Sequence, residues 1–266
     1  MALISMAVYD TAENKRTEYT ERTLQSLLET VDFKKHRLFI SDNGSCEATF
    51  KVYDDFIGAF HCKFPIGNLQ IIRNGKNLGT AEAINQAWRH RKEGEHAIKC
   101  DNDIVIHYTG WVDEMEEAIE RDPYIGIIGL KRKDLIQTPN HPDKNYRSEY
   151  VMLPHEPGQR WITVERTPDV IGTCTMFNSA LLGKVGYSKQ PGKYGYEDVL
   201  FCHRSHIAGF YNCFLPHIEI DHIDEGGGPY QSWKEKHSGE NTAAMIEIFR
   251  GYQNDHSTIY YNPFEV

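Results

Sequence analysis

The first half of this chain predicts a doubly wound α/β fold on a mostly parallel sheet, and three observations carry that expectation. Short apolar runs alternate with longer amphipathic segments from residue 2 to residue 130. The resulting β-α-β-α-β-α-β-α-β order favours parallel strands joined by right-handed crossovers. Each of the first four apolar runs also hands over to a polar loop, as expected where the carboxyl edge of a sheet binds a ligand.

The elements follow in order. ALISMAV (2–8), RLFIS (37–41), NLQIIR (68–73), HAIKC (96–100) and YIGIIGL (124–130) read as strands. TERTLQSLLETV, CEATFKVYDDFIG, TAEAINQAWRHRKEG and GWVDEMEEAIERD carry helical spacing between them. The loops after the first four strands are YDTAENK, DNGS, NGKNLGT and DND, which together predict one cleft. The helix opening at Thr80 or Ala81 would present free N–H groups toward an anion. Residues 131–160 are polar and proline-bearing without periodicity, and read as a long surface excursion whose Lys131, Arg132, Lys133 and Arg147 form the most basic local patch. WITVE and DVIGTCTMF then read as strands, NSALLGKVG and EDVLFCHRSHIAG as helices, and FYNCFLPHIEIDH as one or two strands. EGGGPYQSW joins a glycine run to a last helix and could close over a ligand.

Bulk properties narrow the function. The chain has 266 residues, 40% hydrophobic, with 29 basic against 38 acidic side chains and a net charge of -9. That balance argues against a nucleic-acid partner. No run approaches the ~20 apolar residues of a membrane span. The six cysteines form no CxxC pair, so they read as reduced thiols in a cytoplasmic chain.

The chemistry concentrates in a few short stretches. In KCDNDI, an extended backbone would put Asp101 and Asp103 on one side and Asn102 on the other. Two carboxylates at a strand end suit Mg2+ or Mn2+, which take oxygen ligands and leave positions for phosphate and water. Asp42 in DNGS also fits an Asx turn capping the next helix. Glu197 and Asp198 suit the first turn of a helix. Arg204 lies two turns after Glu197 and could pair an acid or a phosphate.

The chain resembles the family 2 nucleotide-sugar glycosyltransferases. The resemblance rests on SMAVYD, ISDNGS, RNGKNLGTAEAINQA, KCDNDI, GTCTMFNSALLGKVG, GYEDVLFCHRSHIAGF and the DH at 221–222, in the family's order. It implies the GT-A (Rossmann-like) fold, a mixed, mostly parallel sheet flanked by helices, as one domain with an acceptor-side insertion. Residues 1–222 would be that domain, its nucleotide-binding half at 1–108 and its acceptor and catalytic half at 109–222. Residues 223–266 would be a C-terminal lid and helix.

The same resemblance implies roles. Asp10, Asp42, Arg73, Asn77, Gly79 and Asp101 would contact the nucleotide, and Asp101, Asp103 and His222 would hold Mn2+ or Mg2+. His217 competes with His222, and Asp221 could orient the His222 ring. Asp198 would be the general base, with Glu197 its reserve. The implied reaction moves a sugar, with inversion, from a nucleoside-diphosphate sugar such as a UDP-sugar to a hydroxyl acceptor, a glycan being the first choice. The aromatic-rich motif of processive synthases is absent, which favours a single transfer. The alternatives are a noncatalytic nucleotide-sugar or glycan binder of the same fold, and a sugar nucleotidyltransferase.

Overall fold

A computed structural model describes residues 1–134, 149–224, 226 and 228–265. The sheet runs β3-β2-β1-β4-β9-β6-β10-β8-β7. Its first half is parallel, as the alternation predicts: β1 (Ala2–Val8) lies between β2 (Arg37–Asp42) and β4 (His96–Cys100), and β3 (Leu69–Arg73) edges β2. β9 (Cys174–Phe177) then enters antiparallel between β4 and β6 (Ile125–Arg132). β8 (Thr163–Thr167) and β7 (Glu149–Met152) complete the far edge. β1 is buried almost throughout, which suits a strand covered on both faces.

Helices cover the two faces with separate cores. Leu24 and Leu27 from α1 (Thr17–Thr30), Tyr53 and Phe60 from α2 (Glu47–His61), and Trp111 and Met115 from α4 (Trp111–Arg121) pack one side. Ile84 and Trp88 from α3 (Thr80–Trp88), Leu181 from α5 (Ser179–Val185) and Phe201 from α6 (Glu197–Ile207) pack the other. α3 stops at Trp88, short of the helical pattern that continues to residue 94, because the N–H groups of His90 and Arg91 bond three residues back and tighten the chain into a turn.

The element that matters most for the site is β10 (Tyr211–His222), a single long strand. It pairs parallel with β6, its register shifting between Leu215 and Glu219 around Pro216, which has no N–H to give the ladder, before pairing resumes at Glu219 and Ile220. Beyond the shift, Asp221 and His222 pair antiparallel with Val105 and Ile104 of β5 (Ile104–Val105). The DND turn is thereby trapped between β4 and β5, beside the end of β10. Residues 135–148 of the surface excursion, with Arg147 of its basic patch, lie outside the described residues, as do Glu225 and Gly227 of the glycine run. The final helix, α7 (Gly228–Asn254), runs back across the carboxyl edge.

Arg204 corrects one expectation. It is fully buried and pairs no acid or phosphate; Nε donates to the Ile259 carbonyl at 2.6 Å, and the two terminal nitrogens donate to Tyr187, at 2.7 Å, and Val185. Its place on the inward face of α6 turns it toward α5 and the C-terminal tail. Replacing Arg204→Met should leave the Ile259 and Tyr187 carbonyls without that donor, Val185 keeping the Tyr261 N–H, and lower stability by about 3 kcal/mol in urea unfolding; an unchanged midpoint would refute this bracing role.

Candidate active site

The four carboxyl-edge loops, the start of α6 and the first turns of α7 enclose a cleft of about 510 Å³. Asn77, Asp101, Asp103, Glu197, Asp198 and His222 line it together. Of the other candidate residues, Asp10 and Asp42 lie behind the wall. Asp42 is fully buried, its Oδ1 accepting from the N–H groups of Gly44 and Ser45 at 3.0 Å and its Oδ2 from the Tyr53 hydroxyl at 2.8 Å. It is the Asx turn that the spacing allowed. Asp10 accepts from Thr20 and Asn102, and burial pushes its carboxyl up to about 6 against the pull of Thr20, Arg16 and Asn102. The residue of the second loop that does line the cleft is Asn43.

Arg73 is exposed and covers the Phe50 ring at 4.0 Å, away from the cleft lining. Asn77 accepts from the Gly79 N–H at 2.9 Å. Gly79 has φ +90° and faces the Lys193 backbone, where a Cβ would come within 3.0 Å. Side-chain absence there lets the third loop meet the segment before α6. Gln190 bridges the same join: it accepts from Ala81 N–H at 3.2 Å and donates to Glu197 at 2.9 Å. The Ala81 N–H is therefore occupied, and Thr80 is the α3 residue on the cleft.

The DND carboxylates diverge because the chain bends after Cys100 instead of continuing as a strand. Asp101 turns to Lys99, whose buried Nζ lies 3.3 Å from Asp101, 3.3 Å from Glu197 and 3.2 Å from Asp198. Burial alone would depress the Lys99 amine, but Asp101, Asp198 and Glu197 outweigh it and hold it well above its ordinary value. Burial also raises the Glu197 carboxyl, reinforced by Asp198. Burial pushes Asp101 up to about 7 against the pull of Lys99, with the charges of Asp103, Asp198 and Glu197 adding to the rise. Its side chain is 36% exposed, so solvent from the cleft tempers that crowding.

Asp103 points the other way. Its Oδ2 meets Arg16 at 2.5 Å and His222 Nε2 at 3.5 Å. Burial would raise it, yet the His222 hydrogen bond and the Arg16 charge outweigh burial and hold its carboxyl well below the usual range. Its Oδ1 is buried with no hydrogen-bond partner among the described residues. A buried carboxylate oxygen without a donor, beside an imidazole, is a donor set that fits a divalent cation. His217 bonds Glu114 at 2.6 Å instead, and Asp221 pairs with Lys133 and His107 at 2.5 and 2.7 Å, so neither serves that position.

Asp198 is aimed by the turn that enters α6 and by two contacts. Gly195 and Tyr196 both take left-handed conformations, φ +86° and +72°, and so swing the chain into α6. The Gly172 N–H donates to Asp198 Oδ2 at 3.0 Å, while Lys99 holds Oδ1. A Cβ at Gly172 would overlap that carboxylate.

Several cleft residues carry no local signal in the sequence. Arg16 bonds Asp103 and, at 2.6 Å, Asp224, and stacks over the Tyr230 ring at 4.6 Å. Lys234 reaches Asp224 at 2.9 Å. Trp233 lies against Tyr194 at 5.6 Å and Tyr230 at 5.8 Å. Only the fold brings these together; the aromatic and basic content of PYQSWKEK is the one clue.

Comparison with known proteins agrees with this fold. Residues 11–186 match glycosyl transferase family 2. Among solved structures, the chain is similar to a mannosyltransferase, PcManGT from Pyrobaculum calidifontis, in complex with GDP-Man and Mn2+ (16% identity, TM-score 0.63, covering 87% of this chain and 59% of that one). It is similar to GalNAc-T7 with UDP, GalNAc and Mn2+ (14%, 0.63, 93% and 47%). It is similar to residues 1–349 of TarS from S. aureus in complex with UDP-GlcNAc (13%, 0.58, 98% and 74%). The chain thus spans about three fifths of the mannosyltransferase and about half of GalNAc-T7. No curated protein matches the sequence. No helix among the described residues is long and apolar enough to cross a membrane.

The Lys99 cluster has a pH signature. A carboxyl raised in the fold costs stability as pH climbs above its unfolded value of about 4 toward its folded value. Removing the amine raises the cluster further and extends that loss to higher pH. Lys99→Met should therefore melt lower than the parent by about 5 °C more at pH 8 than at pH 5.5. Parallel melting curves across that range would contradict the cluster.

Proposed function

Because the chain belongs to glycosyl transferase family 2, we propose that it is an inverting, cation-dependent glycosyltransferase that moves one sugar from a nucleoside-diphosphate sugar, a UDP-sugar, to an acceptor hydroxyl. The single observation that carries this reading is the sharing of one cleft by Asp103 and His222 on one side and Asp198 on the other. A metal-fitting carboxylate and a positioned base are what a displacement at a sugar carbon requires.

The residues divide the work. The acceptor hydroxyl lies against Asp198; as its oxygen bonds the anomeric carbon, its proton passes to the carboxylate. The bond to the diphosphate breaks on the opposite face, so the centre inverts. Lys99 and the Gly172 N–H keep Asp198 in one orientation, and Glu197 stays in reserve, tied to Gln190. Asp103 and His222 would hold Mn2+ or Mg2+, which when bound offsets charge on the departing diphosphate. Arg16 and Lys234, both on the cleft, add positive charge on the donor side.

Asp101, Asn77 and Asn43 would meet the nucleotide, while Asp10, Asp42 and Gly79 shape the loops behind it. The start of α7, with Tyr230 and Trp233, closes the cleft from above and excludes water. Residues 223–266 act with the 1–222 domain in this reading. The acceptor, a glycan, approaches past Arg132, which lines the cleft. The six unpaired cysteines suit a cytoplasmic setting.

Two measurements test the proposal. A panel of nucleoside-diphosphate sugars with Mn2+ should raise the melting temperature, UDP-sugars most; no shift with any nucleotide would sink the donor assignment. Asp198→Asn should lose about 10²-fold or more in transfer while binding donor normally, and Gly172→Ala should do the same by displacing the carboxylate. Release of pyrophosphate would point to a nucleotidyltransferase, and binding without any turnover to a noncatalytic relative.

A further inference from the structure

We propose that Asp224, and not Asp101, completes the protein's share of the cation site, so that Asp103, His222 and Asp224 hold the metal. The inference rests on the cation-dependent reading above and assigns its ligands. Ligand atoms of these three residues all lie within 4.8 Å of one another. Oxygen and nitrogen ligands about 2.1 Å from one octahedral ion lie about 3 Å apart when adjacent and about 4 Å when opposite. His222 Nε2 and Asp103 Oδ2, at 3.5 Å, are already near the adjacent spacing.

The backbone explains why Asp224 joins this group. The Ile223 N–H donates to the Asp103 carbonyl at 2.8 Å, pinning the chain just past β10 against the DND turn. In extended chain residues 222 and 224 face one side, so this single bond aims both at Asp103. Asp101 would share that face only if β4 ran straight on, and the bend after Cys100 removes it. Its carboxylate turns to Lys99 instead, among Glu197 and Asp198.

One further observation points to a cation. The buried Asp103 Oδ1 has no partner among the described residues. Asp224 Oδ2 pairs with Arg16 at 2.6 Å and Lys234 at 2.9 Å, contacts that a bound ion would replace. The His222 ring is held at Nδ1 by the Arg132 guanidinium at 3.1 Å, with Asp134 4.0 Å from the same nitrogen, which leaves Nε2 toward Asp103. Three protein ligands leave about three positions for diphosphate oxygens and water.

The rival role for Asp224 is a plain ion-pair partner of Arg16 and Lys234. Mn2+ binding, followed by loss of the free-ion electron paramagnetic resonance signal with and without UDP, separates the two. Asp224→Asn and Asp103→Asn should each weaken Mn2+ binding by about tenfold or more, and Asp101→Asn by less than about threefold. Asp224→Cys should shift the preference from Mn2+ to Cd2+ by about tenfold, since a thiolate favours the softer ion and an ion-pair partner would confer no such switch. Wild-type Mn2+ affinity in Asp224→Asn, a tenfold loss in Asp101→Asn, or no Cd2+ preference in Asp224→Cys overturns the assignment. If the parent protein binds Mn2+ but ignores UDP, the donor reading alone falls; if it binds no Mn2+ in either condition, both fall.

Discussion

Three carboxylates packed around one buried lysine set the terms for the rest of this molecule. Asp101, Glu197 and Asp198 come from a strand end and a helix start that are 96 residues apart, and each lies about 3.3 Å from the Lys99 amine. Without that cation their mutual repulsion and desolvation would push the two elements apart or protonate them. With it, the end of β4 and the first turn of α6 are joined across the cleft. A base that must stay ionised and a pocket that must exclude water are otherwise opposing demands. Lys99 reconciles them by supplying the counter-charge from within the wall.

The second constraint is the course of β10. β10 keeps β6 as a partner through Ile220, but only after a register shift that skips Pro216 to Ile218. The irregularity around Pro216 lets the strand change partners and finish against β5. One missing backbone donor, a consequence of proline's ring, therefore helps bring His222 and Asp224 to Asp103. The cost is small because the lost ladder bonds are replaced by the pairing with β5 and the Ile223–Asp103 bond.

Much of this was legible from residue order, for physical reasons. Burial on both faces writes long apolar runs into parallel strands, so β1, β2 and β4 stand out, and each ends at a polar loop of the cleft. The DND stretch and His222 are local signals of the same kind. What local pattern could not carry was direction. Alternation puts Asp101 and Asp103 on one side only while the chain is extended, and the bend after Cys100 breaks that premise. Arg204 lay at helical spacing from Glu197, yet α6 turns it into the core, where carbonyls are its partners. Asp42 reads equally well as a ligand contact or as a turn, and its buried bonds to Gly44, Ser45 and Tyr53 belong to the turn. Arg16, Lys99 and Asp224 depend on partners from about 100 to 200 residues away, which no short window contains.

The same logic explains where the chain breaks its own local rules. Tyr196 adopts a left-handed backbone that costs a non-glycine residue about 1–2 kcal/mol. The strain persists because α7 over-determines the turn: Thr242 bonds the Tyr196 hydroxyl at 2.8 Å, Asn241 donates to the Tyr194 carbonyl at 3.0 Å, and Ser238 packs on Gly195. α7 thus acts at both ends of the cleft, bracing the Asp198 turn with its middle and meeting Arg16 and Asp224 with its first turns. Its middle is fixed by uncharged contacts and its start by ion pairs and stacked rings, interactions that a charged ligand can exchange for its own. A rigid base beside an exchangeable donor side is the arrangement that lets one group stay aimed while another site fills and empties.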